Sequence, residues 1–86
     1  MQVGKAFVVI IGKHYVNNES NYKLCLEAEK LNIPMYAIVI SGTDWDKFKK
    51  FPWRKIIYVN SIDEIEEAFW QIKKDLDFYY LFVGGT

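Results

Sequence analysis

Four short, almost unbroken apolar runs set the rhythm of the chain: Ala6-Phe7-Val8-Val9-Ile10-Ile11, Met35-Tyr36-Ala37-Ile38-Val39-Ile40, Lys55-Ile56-Ile57-Tyr58-Val59-Asn60 and Phe78-Tyr79-Tyr80-Leu81-Phe82-Val83. None alternates apolar with polar. Strands of this kind are buried on both faces, as in a parallel sheet covered by helices. The first three runs are each followed by a polar stretch with helical spacing. The pattern predicts strand 6–11, loop 12–18, helix 19–31, strand 35–40, short helix 44–50, strand 55–60, helix 62–76 and strand 78–83.

The first predicted helix places Leu24, Cys25, Ala28 and Leu31 on one stripe and Lys23, Glu27 and Lys30 on another. Asn32-Ile33-Pro34 ends it, because proline disfavours helix in the residue before it. The last helix starts where Ser61 and Glu64 form a capping box. Ile62, Ile65, Ala68, Phe69, Ile72 and Leu76 then recur at helical spacing. Its acidic first half and the later Lys73-Lys74 suit the helix dipole.

Strand–helix–strand crossovers are right-handed almost without exception. Three strands stepping one way therefore place their connecting helices on one face and the last helix on the other. The fourth strand then lies beside the first, in the order 4-1-2-3. The expected fold is α/β: a single domain over 1–86 with a small, four-stranded, mainly parallel, flavodoxin-like sheet and about three helices.

Composition adds a tension. Hydrophobic residues make up 51% of the 86 residues and aromatics 17%, which is high for a small soluble domain. One helix hardly covers a whole sheet face, so apolar surface is expected to remain and self-association to hide it. Charge is balanced, 11 basic against 11 acidic, and exerts no global pull toward nucleic acid or anionic membrane. One cysteine and one histidine make neither an internal disulfide nor a metal cluster. No run approaches the roughly 18 residues of a membrane span. The first residues lack the order of a signal peptide, so the expected location is cytoplasmic.

Ligands of open parallel sheets bind beyond the carboxyl ends of the strands. Gly12, His14, Ser41 and Gly42 stand there and are the candidate ligand-binding residues. Small hydroxyl and amide side chains at such an edge can hold a phosphate or sugar, but ordinary turn chemistry needs the same residues. Neither GxGxxG nor a P-loop occurs, and no cofactor is expected. His14 is the sole histidine and lacks a nucleophile at a telling spacing. Cys25 reads as a small core hydrophobe.

Residues 47–55 mix five basic residues with Phe48, Phe51 and Trp53. Such a segment can bind single-stranded nucleic acid by charge and stacking. Packing of Trp45, Phe48, Phe51 and Trp53 on the sheet is the preferred reading, since exposing them would strip a small core. Trp70 falls off the apolar stripe of the last helix, on its charged side. It is the candidate interface anchor, with Phe69 and Trp53 beside it as further interface candidates. The acidic last helix and the basic 47–55 segment suggest complementary patches between subunits.

Three stretches resemble a Toll/interleukin-1 receptor (TIR)-like domain in its C-terminal portion, lacking the first two strands. Phe7-Val8-Val9-Ile10-Ile11-Gly12-Lys13-His14-Tyr15 resembles the family's strand that ends in a small-residue turn with a tyrosine. Asn21-Tyr22-Lys23-Leu24-Cys25-Leu26-Glu27-Ala28, followed by Asn32-Ile33-Pro34-Met35-Tyr36-Ala37-Ile38, is similar to its glutamate helix and next strand. Ala68-Phe69-Trp70-Gln71-Ile72 resembles its Phe-Trp box. The resemblance implies an assembly module that binds copies of itself and other proteins. It also makes Glu27 the candidate catalytic residue, since some members cleave NAD through the helix glutamate. Binding or hydrolysis of an NAD or ADP-ribose type nucleotide is the alternative expectation, and nucleic-acid binding through 47–55 the third.

Overall fold

The first apolar run forms β1 (Lys5–Ile11), the second β2 (Met35–Ile40) and the third β3 (Trp53–Val59). They make a three-stranded parallel sheet in which Phe7 lies opposite Met35 and Ile38 opposite Ile57. The computed structural model describes residues 5–74 and the backbone of 80–83. Along that last stretch β4 (Tyr80–Val83) runs parallel to β1, Lys5 beside Tyr80 and Val8 beside Val83. The chain order across the sheet is β3-β2-β1-β4. The expected helix end at 75–76, the strand start at 78–79 and the Gly84-Gly85-Thr86 segment lie outside the described residues.

Three helices flank the sheet: α1 (Lys13–Val16), α2 (Glu19–Lys30) and α3 (Ile65–Lys74). Alternate side chains of β1 and β2 feed two separate cores. Phe7, Val9, Ile11, Met35, Ala37 and Val39 pack under α1 and α2 with Tyr15, Cys25, Ala28, Trp45, Phe48 and Phe51. Ala6, Val8, Tyr36 and Ile38 face the other way, with Val59 and with Ala68 and Ile72 of α3. The division of helices between faces thus follows the handedness argument.

Several local expectations are corrected. The predicted loop 12–18 contains α1, a single turn whose Tyr15 is buried. The predicted helix 44–50 is one 3₁₀ turn, Asp46–Phe48. The last helix opens with a 3₁₀ turn, Ile62–Glu64, and its expected capping box is replaced by a bond from the residue before Ser61. Glu64 Oε1 accepts from the backbone N–H of Asn60 at 3.1 Å, while the Ser61 side chain makes no cap bond.

Two larger corrections concern burial. Leu24 and Leu31 are 43% and 59% exposed rather than core. α2 is rolled so that small Cys25 and Ala28 meet the sheet, which lets the helix approach closely and leaves the leucines at its flank. Likewise β3 is not buried on both faces: its burial alternates, because β3 is an edge strand. Ile56 is 38% and Tyr58 63% exposed, on the α2 side.

The end of α2 is built more fully than the proline alone predicts. Asn32 takes a left-handed conformation with φ 58°. The Asn32 N–H donates to the Glu29 carbonyl and the Ile33 N–H to the Ala28 carbonyl, at 3.1 and 3.0 Å. This is the Schellman pattern, which satisfies carbonyls orphaned at a helix end.

Candidate functional site

The carboxyl edge of the sheet holds the candidate ligand residues. Gly12 follows β1 and is buried, whereas His14 on α1 is exposed, as are Ser41 and Gly42 after β2. Gly42 has φ +85°, the left-handed region that an L side chain rarely enters, with open space around it. The Ser41 N–H donates to the Val59 carbonyl at 2.7 Å and ties the ends of β2 and β3 together. The asparagines here serve the backbone. Asn17 Nδ2 donates to the Lys13 carbonyl, Asn21 Nδ2 donates to the Tyr15 carbonyl, and Asn18 Oδ1 accepts from the Ser20 N–H to cap α2. A depression of about 320 Å³ nearby is walled by Val16, Asn17, Asp44, Asp46 and Lys47, with His14, Ser41 and Gly42 outside its described walls.

Glu27 stands at the opposite edge. With Leu24 and Leu31 it lines a groove of about 260 Å³ whose floor is Ala6, Phe7, Ala28 and Ile33. Phe7 lies near the start of β1 and Gly12 beyond its end. Five residue steps along the strand separate them, about 16 Å. The structure therefore does not bring Glu27 together with Gly12, His14, Ser41 or Gly42. Sequence reasoning missed this groove because it placed Leu24 and Leu31 in the core.

Of the three interface candidates, Trp70 alone presents most of its ring to solvent. It is 55% exposed, and the Lys73 ammonium stands 4.9 Å from its ring centroid, a cation–π contact. Phe69 is half-buried against the α3-side core. Trp53 is half-buried too, and its Nε1–H donates to the Phe48 carbonyl at 2.8 Å. Exposed Ile56, Tyr58 and Ile62 extend the apolar surface beyond the candidates. An edge position for the third strand was the signal that would have found the first two.

The basic-aromatic segment packs inward. Trp45, Phe48 and Phe51 are buried, and Phe48 meets the rings of Tyr15, Tyr22 and Phe51. Lys47 and Lys50 lie over the Tyr22 ring and Lys49 over Trp45. Lys49 also pairs with Asp46 at 2.9 Å, exposed on both sides and so of little energetic weight.

Tyr15 and Cys25 form a buried polar contact, Oη to Sγ 3.4 Å. Burial pushes the Cys25 thiol up, only partly offset by the Tyr15 hydroxyl. The thiolate that nucleophilic chemistry requires is thus disfavoured. Among the described residues, no group of three or more His, Cys, Asp or Glu side chains is placed to hold a metal, and no helix is long and apolar enough to cross a membrane. Compared with protein-family models, with curated proteins and with solved structures, the chain matches none.

Proposed function

We propose that this chain is a cytoplasmic, TIR-like protein-interaction module that self-associates, docks to another protein and carries out no catalysis of its own. In this reading β4 is a full member of a flavodoxin-like sheet of order 4-1-2-3. The observation that carries the proposal is the exposure of Trp70 on α3. A tryptophan that is more than half exposed on a charged helix face contributes little to the monomer beyond its cation–π contact with Lys73. Buried against a partner it contributes a large apolar area. Nucleotide hydrolysis is the weaker reading because Glu27 lies at the strand starts, away from His14 and Ser41 at the strand ends.

Replacing Trp70 by Glu tests the assembly. The side chain is exposed, so the far-UV spectrum and unfolding midpoint should change little. Light scattering over a concentration series should show weaker association, by about tenfold or more in Kd. Association as strong as in the unaltered chain would remove Trp70 from the interface.

A further inference from the structure

We propose that a second copy of this chain docks antiparallel along the outer edge of β3, joining two sheets into one and laying two α3 helices side by side. The inference rests on the self-association proposed above and gives it a geometry. β3 is a seven-residue edge strand. A long edge with unpaired backbone groups and apolar side chains is a template for another strand. Charge guards its first half at Arg54 and Lys55, but Ile56, Ile57, Tyr58 and Val59 that follow carry none.

The backbone fixes the register. The Val59 carbonyl accepts from Ser41 and so points inward, toward β2. Backbone groups alternate in direction along a strand, which turns those of Tyr58 and Ile56 outward. A two-fold axis at Ile57 sets Ile56 opposite the partner's Tyr58, and the two exchange both ladder bonds. These are also the two most exposed apolar side chains of the strand, on the same face. One register therefore satisfies the outward backbone groups and covers the exposed pair.

The helices fit the same axis. α3 packs across both β2 and β3. With strands about 4.8 Å apart, a helix seated midway between β2 and β3 lies about 10 Å from its symmetry mate, within the usual helix-packing distance. The flank of α3 beside Ile57 and Tyr58 presents Glu64, Glu67 and Gln71. Lys74 follows on that flank, two turns after Glu67 and exposed. Antiparallel helices bring the acidic half of one against the basic end of the other, so Glu67 faces the partner's Lys74 twice over. The charge pattern is self-complementary, which singles out a second copy as the occupant.

Sedimentation velocity on the full chain, from about 1 µM to about 1 mM, reads the association. Four variants are compared with it, each verified as folded by far-UV circular dichroism. Tyr58→Lys should raise Kd at least about tenfold, and Glu67→Lys and Lys74→Glu should each raise it roughly three- to tenfold. The double swap Glu67→Lys/Lys74→Glu should restore Kd to within about twofold. A dimer indifferent to all four but lost with Trp70→Glu overturns the edge geometry and leaves the assembly reading standing. A chain that stays monomeric throughout overturns both and leaves the edge to a strand from another protein.

Discussion

At the scale of single residues, Tyr15 and Cys25 give the clearest chemistry, and it is chemistry of stability. Their hydroxyl and thiol meet 3.4 Å apart between α1 and α2. Burial raises both above their ordinary values of 10.0 and 9.0. The native state therefore keeps both protonated where the unfolded chain has begun to ionise. Their contribution is present below the unfolded values and falls as pH rises through them, by at most about 1.4 kcal/mol per pH unit for each group and only until its native form ionises. Tyr15→Phe removes one of the two groups. Urea unfolding at about pH 10 and 11 should show a shallower loss of stability in that variant than in the parent, and equal slopes would refute the assignment. The apolar stripe of α2 made the burial of Cys25 legible in advance. Its partner was not, because Tyr15 sits on a single helical turn too short to carry a periodic signal.

At the scale of elements, what could be read was periodicity, and what could not was rotation. The three apolar runs of β1, β2 and β3 and the spacing within α2 and α3 identified these elements. Which flank of α2 met the sheet depended on Cys25 and Ala28 being small enough for close approach, a packing fact with no period of its own. The stop of α2 shows the same division. Pro34 marks the boundary, yet the turn is made by Asn32 at φ 58°. Asparagine tolerates this conformation better than any β-carbon residue lacking its short polar side chain. Asn32→Ala should cost about 1 kcal/mol in urea unfolding, whereas Asn32→Gly should leave stability level or slightly higher. If alanine is as stable as asparagine, the helix end is held by Pro34 and its neighbours instead.

At the scale of the whole molecule, handedness made the allocation of helices to faces predictable from chain order alone, while the position of each strand decided how exposed it would be. The sequence of β3 looks doubly buried, but an edge has only one neighbour. The candidate site shared that weakness: Gly12, His14, Ser41 and Gly42 stand at the carboxyl edge, but Glu27, a candidate through the family resemblance, lies at the opposite one, since chain order does not report distance along a strand. Cooperativity is set at this scale as well. β1 and β2 supply Phe7, Val9, Met35 and Ala37 to one core and Ala6, Val8, Tyr36 and Ile38 to the other. Neither face can open without disturbing strands that the other needs. Trp45 and Trp53 report on the α2 face through their packed rings, and Trp70 on the α3 face is separable by mutation to Phe. In a Trp70→Phe background, tryptophan fluorescence therefore follows one core while far-UV circular dichroism follows the whole. The two unfolding curves should superimpose, as expected of a single cooperative transition. A fluorescence midpoint clearly below the dichroism midpoint would mean that α1 and α2 peel away first, and the shared strands would then couple the cores less tightly than their alternating side chains imply.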